Sequence, residues 1–203
     1  MDPSSGAVIN PLFCVPYPTD LAFKTKPLRK RYLATVDAAG NILFKTKHYW
    51  LGGFTQLRDA AGHTVFTMKP KFITLHGRWQ AFRGDSMEAK DLVFSIKRSS
   101  FLQFYDEWFV YLAGNTEEEN CDFRVTGSYR KKNYTIYKGD SSFVVAQFAK
   151  DHKLNLQLKH AFGATISANC DHSFVAALIV IFRMVYVRKS AASSHMRTVH
   201  HRA

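Results

Sequence analysis

From residue 31 to residue 166 the chain is a succession of short runs in which apolar and polar positions alternate, each closed by turn-forming residues. The runs fall at 31–36, 42–48, 54–57, 65–69, 72–75, 78–82, 92–97, 101–112, 121–129, 134–137, 143–148, 154–158 and 164–166. In the clearest, Leu92, Phe94 and Ile96 share one face and Val93, Ser95 and Lys97 the other. A period of two predicts strands. Asp-Ala-Ala-Gly occurs at 37–40 and again at 59–62, which predicts two similar hairpins, and Gly52-Gly53 and Pro70 punctuate the runs between. About a dozen short strands at near-regular spacing predict an antiparallel sheet curled into a sandwich or barrel.

The pattern then changes. From Phe174 to Phe182 every residue is apolar, with Asp171 and Ser173 as N-cap types just ahead. A helix without a polar face belongs in a core or in a membrane. The run ends at Arg183, far short of the roughly 20 apolar residues a span requires. The expectation is therefore a central helix at 172–187, buried through Phe174, Val175, Leu178, Ile179, Ile181 and Phe182. A tail anchor is the alternative, because Arg188 and Lys189 follow. A barrel of about a dozen strands is too wide for side chains alone to fill, and the helix is a ready plug.

Residues 1–28 hold five of the six prolines and read as an extended lead-in to a barrel domain at 29–187. Residues 188–203, rich in Ser, Ala, His and Arg, read as a disordered basic tail. Three cysteines with no close pair fit a reducing compartment and give neither a disulfide framework nor zinc spacing. The first residues show no secretory signal, so the expected location is cytoplasmic, peripheral at the plasma membrane, or nuclear. With 28 Lys and Arg against 16 Asp and Glu, the net charge of +12 favours an acidic partner.

Several segments resemble the plant LURP-one-related family. These are Phe13-Cys14-Val15-Pro16-Tyr17-Pro18-Thr19-Asp20-Leu21, His76-Gly77-Arg78-Trp79, Ser95-Ile96-Lys97-Arg98-Ser99-Ser100, Asp122-Phe123-Arg124-Val125-Thr126-Gly127-Ser128 and Ile136-Tyr137-Lys138-Gly139-Asp140-Ser141-Ser142. Val144-Val145-Ala146-Gln147 and the helical run fit it too, so the matches extend in order from about residue 13 to 187. The resemblance implies a fold like the tubby C-terminal domain and the phospholipid scramblases, an antiparallel β-barrel around a hydrophobic helix. It also implies a link to pathogen defence. Scramblases carry a proposed calcium-binding acidic stretch before the helix, but residues 161–171 here contain one carboxylate, too few for Ca²⁺. The family usually carries an acidic residue at the end of the helix, where this chain has Arg183.

Gly84-Asp85-Ser86 and Gly139-Asp140-Ser141 have the letters of a nucleophile motif, yet their composition suits hairpin turns and no elbow glycine follows either serine. His-Glu-x-x-His and Cys-x-x-Cys are absent, so no metal and no cofactor are expected. The chain reads as non-enzymatic. Among its basic clusters, Arg130-Lys131-Lys132 at a hairpin tip is best placed to meet a phosphate-rich surface, with Lys97 and Arg98 second. The expected partner is an anionic phospholipid or phosphoinositide; the alternative is a nuclear regulator binding nucleic acid or an acidic protein. Trp50, Trp79 and Trp108 are expected in the core, and the aromatic run at 101–111 lacks the basic residues of a base-stacking platform.

Overall fold

In the computed structural model the described residues are 8–26, 29–71, 77–99, 106–128, 130–149 and 161–200, without the side chains of 29, 30, 106 and 189–200. Twelve antiparallel strands form one closed barrel: β1 Thr19–Lys26, β2 Arg29–Val36, β3 Ile42–Tyr49, β4 Phe54–Asp59, β5 Thr64–Pro70, β6 Trp79–Arg83, β7 Leu92–Arg98, β8 Asp106–Leu112, β9 Phe123–Ser128, β10 Asn133–Lys138, β11 Val144–Ala149 and β12 Ala161–Ile166. Each strand pairs with its neighbours in sequence, and β1 returns to β12, with Thr19 opposite Ile166 and Lys24 opposite Ala161. Helix α1, His172–His200, follows. The strands expected at 72–75 and 154–158 lie outside the described residues, as does the first half of the 101–112 run.

Two boundaries differ from the expectation. Residues 19–26 lie in the stretch read as an extended lead-in, yet they form the strand that closes the ring. Pro18 precedes that strand without entering it, and within it Leu21 and Phe23 alternate onto the inner face. The helix also continues beyond 187, as far as His200, into the stretch read as a disordered tail. The sequence there contains neither Gly nor Pro and includes Ala191 and Ala192, so local propensity permits the extra turns.

The helix is the core. Residues 174–182 are each at most 2% exposed, and Met184 extends the buried stretch past Arg183. Inward side chains of the strands meet it in aromatic collars. Phe174 sits edge-on to Phe94 and tilted against Phe123, with ring centroids 5.3 and 4.6 Å away. Two turns on, Phe182 stacks on Tyr134 at 5.0 Å and tilts against Trp108 at 5.5 Å. Full burial of each such side chain contributes about 2 kcal/mol, so the helix supplies much of the apolar area that a ring this wide cannot supply for itself. Among the described residues no helix is long and apolar enough to cross a membrane.

Asp171 locks the start of the helix. Its Oδ1 accepts from the Ser173 and Phe174 amides and the Ser173 hydroxyl, at 2.8, 3.2 and 2.6 Å, capping the first turn. Its Oδ2 accepts from the Val8 and Ile9 amides at 3.1 and 2.9 Å, which straps the N-terminal segment across this end of the barrel. The Asn169 amide donates to the Val15 carbonyl at 2.7 Å, and Phe13 packs edge-on against Phe44.

Two substitutions test this architecture. Ile179→Asp places an unpartnered charge at a site that is 0% exposed and is expected to abolish soluble folding; a cooperative melt from that variant would show that the helix is not the plug. Asp171→Ala removes the cap and orphans the strap amides, and chemical denaturation should show a loss of about 2–3 kcal/mol.

Candidate functional site at the mouth of the barrel

Turns in an up-and-down ring alternate between its two ends, and here they differ in charge. The β2–β3, β4–β5, β6–β7 and β10–β11 turns, at the end where α1 begins, carry Asp37, Asp59, Asp85, Glu88, Asp91 and Asp140. The opposite end, where the helix emerges, gathers cations.

Strand alternation brings some of these cations to the mouth. Arg98 shares its face with Phe94 and Ile96, two residues of the core, and lies opposite Trp108. His48 follows Phe44 and Thr46 on the inner face of β3, and its Nδ1 lies 2.8 Å from the Thr55 hydroxyl. The helix brings Arg183 and Arg188. The guanidinium of Arg188 lies over the Trp79 ring at 5.0 Å and donates to the Gly53 carbonyl at 3.5 Å.

The expected site residues divide under this geometry. Arg130, Lys131 and Lys132 form the β9–β10 turn, with Arg130 and Lys131 exposed. Lys132 instead turns into the mouth, its Nζ 4.3 Å over the ring of the buried Phe162. Lys132 takes a positive φ of 54°. Gly127, with φ 132°, makes this hairpin possible: a Cβ there would lie 2.1 Å from the Asn133 carbonyl oxygen. Lys97 belongs to a different site. It faces outward over the Tyr111 ring and pairs at 3.3 Å with Glu118, which also accepts from Arg78 Nη1 at 2.6 Å. Those two cations hold the Glu118 carboxyl below the usual carboxylate range, Arg78 foremost.

Trp79 and Trp108 are core residues, but Trp50 is not. It is 77% exposed and Leu51 88% exposed at the tip of the β3–β4 turn. The correction follows from Gly52-Gly53, which places Trp50 and Leu51 at a turn beyond the last inward position of β3. Sequence reasoning also passed over His48, Arg183 and Arg188 as members of one cluster; inward parity at the strand end is the signal that finds His48. Both Gly-Asp-Ser segments form turns. The Ser141 hydroxyl donates to the Lys138 carbonyl and accepts from the Phe143 amide, and the Ser86 hydroxyl donates to Asp91.

The electrostatics of the mouth are those of like charges brought together. Burial, then Arg183, lowers the Lys132 ammonium. Burial, then Arg31, lowers the Arg188 guanidinium. Burial lowers the His48 imidazole, with Arg31 and Arg188 adding to the effect. Each of these cations is therefore less stable in the folded protein than in water, and an anion bound among them would relieve the strain.

A family model described as LURP-one-related matches residues 19–183. The chain belongs to the LURP-one-related family. Among its relatives in Arabidopsis thaliana, Protein LURP-one-related 15 is 38% identical over 88% of this chain and 85% of its own length. Protein LURP1 is 34% identical over 94% of each. A crystal structure of an Arabidopsis thaliana protein, 33% identical, superposes with a TM-score of 0.72 and covers 89% of this chain and 99% of that one. The match begins at Thr19, so the LURP-one-related unit includes β1, and its last matched residue is Arg183 on the helix.

Two depressed histidines predict a pH dependence for this LURP-one-related fold. His48 at the mouth and the buried His172 at the other end both fall below 6.5, chiefly by burial. As pH drops through 6.5 the unfolded chain takes up protons that the folded chain refuses. Their contribution is thus complete above that pH and is lost progressively below it. Thermal melts taken downward from neutrality to about pH 5 should fall in Tm, and His48→Gln should flatten part of the slope.

Proposed function

We propose that this LURP-one-related protein is a non-enzymatic, defence-related module that docks peripherally on anionic phospholipid, phosphoinositide included, with the mouth of the barrel facing the membrane. The observation that supports this reading is the segregation of charge between the two ends. The β3–β4 and β9–β10 turns stand six strands apart in a ring of twelve, hence on opposite sides of the mouth. One presents exposed Trp50 and Leu51, the other exposed Arg130 and Lys131. Tryptophan favours the headgroup level of a bilayer, and each basic residue near an anionic surface contributes about 1 kcal/mol. Arg130, Lys131, Lys132 and Arg98 are thus the proposed headgroup contacts, joined by Arg31, Arg183 and Arg188. Lys97 is dropped, because Glu118 already holds its charge. The acidic turns at the far end oppose any other orientation.

Liposome co-sedimentation across a salt series tests the reading. Binding to phosphatidylserine or phosphoinositide vesicles is expected to weaken steeply with salt. Arg130→Ala with Lys131→Ala should lower it about tenfold or more, and Trp50→Ala should lower it at all salt concentrations. Equal retention on neutral phosphatidylcholine, or salt-sensitive binding to DNA in place of vesicles, would overturn it; the second result would favour the nuclear alternative.

A further inference from the structure

The β9–β10 turn contains three adjacent cations, and one of them stands apart. Arg130 and Lys131 are exposed, but Lys132 is half-buried and has the inward parity of Tyr134 and Ile136 on β10. Its backbone is held in the left-handed region, at φ 54°, where a residue with a Cβ is uncommon. Its Nζ rests 4.3 Å from the centre of the Phe162 ring, and Phe162 is 1% exposed. Tyr134 stacks on Phe182, and the next residue of α1 is Arg183, the charged group that acts on the Lys132 amine. Among the described residues no carboxylate forms an ion pair with Lys132, whereas Lys97 has Glu118 at 3.3 Å. An amine seated on an aromatic ring, beside a guanidinium and without a carboxylate partner, is in the setting that favours its neutral, nucleophilic form.

We propose that Lys132 is a reactive amine that captures small aldehydes bearing an anionic group, forming a Schiff base at the mouth of the barrel. The nitrogen lone pair adds to the carbonyl carbon. Both amine hydrogens then leave with the carbonyl oxygen as water, and an imine remains. Nothing is oxidised or reduced, so no co-reactant is required. Burial and Arg183 both disfavour the ammonium, so more of this lysine stands as free amine at a given pH than of an exposed one. Arg183 serves a second purpose, as the counter-charge for the anion carried by the aldehyde. A neutral imine also removes one of the like charges gathered there, which an ordinary surface lysine would not gain from. The capture takes place in solution and needs no membrane, so it stands or falls apart from the docking reading.

Two probes of one shape test it on the full chain without vesicles: pyridoxal 5′-phosphate and pyridoxal, the same aldehyde with and without its phosphate. Borohydride traps the imine, and peptide mass spectrometry locates it. The phosphate-bearing probe should label Lys132 about tenfold faster than exposed Lys131 next to it, and about tenfold faster than pyridoxal does. The pH midpoint for labelling Lys132 should lie below that for Lys131. A lysine that only parks its ammonium on the Phe162 ring would titrate no earlier than its neighbour. Arg183→Gln should raise the Lys132 midpoint and erase the preference for the phosphate. Lys132→Arg should remove that label and leave the melt unchanged. The comparison within the unaltered chain keeps the test open if the Arg183 variant fails to fold. Even labelling of Lys131 and Lys132, equal rates for the two probes, or a preference for Lys132 that survives in urea would overturn the proposal.

Discussion

An apolar helix with no polar face cannot rest on a surface, and a ring of twelve antiparallel strands cannot fill its own interior. Each solves the other's problem, and the rest of the structure depends on that exchange. The ring removes every sheet edge that could pair with another chain. The helix removes the void. Phe174 and Phe182, two turns apart, mesh with aromatic side chains from β7, β8, β9 and β10, so the contact is also a register that sets how far the helix is threaded. Asp171 fixes the same register from outside, because one carboxylate caps the helix and holds the strap.

Much of this was legible in the order of residues. Alternation located the strands because the inner faces are predominantly apolar and the outer faces are not, and the plug was evident from Phe174 to Phe182. Two features escaped for physical reasons. The strand at Thr19–Lys26 is bracketed by prolines, and a proline-rich context outweighed the alternation of Leu21 and Phe23. Its role as the closing strand arises from pairing with β12, some distance along the chain, which no local pattern contains. The site was harder to see. Trp50 looks like a core residue by type, and only the adjoining glycines mark it as a tip. Lys97 and Arg98 are neighbours in sequence, but opposite faces of β7 send one to Glu118 and the other to the mouth.

Charge alternation along the chain proves to be spatial segregation. Acidic turns at Asp37, Asp59, Asp85 and Asp140 fall on every second connection, and antiparallel geometry collects every second connection at one end. Half-buried cations stand where the helix emerges, and an aromatic-lined cavity beside Asp37 and Asp59 lies where it begins.

The threading also dictates an order of events during synthesis. The closing strand β1 emerges from the ribosome early, its partner β12 late, and the helix that fills the ring after both. No nascent chain can therefore complete the barrel, because the plug and the last strand are still missing when ten or more strands are already outside. Apolar inner faces must wait, unpaired or held by chaperones, until translation of the helix allows closure around it. Closure of the barrel is thus tied by topology to the helix: a premature stop anywhere before it leaves a coreless sheet, whatever the length of chain already made.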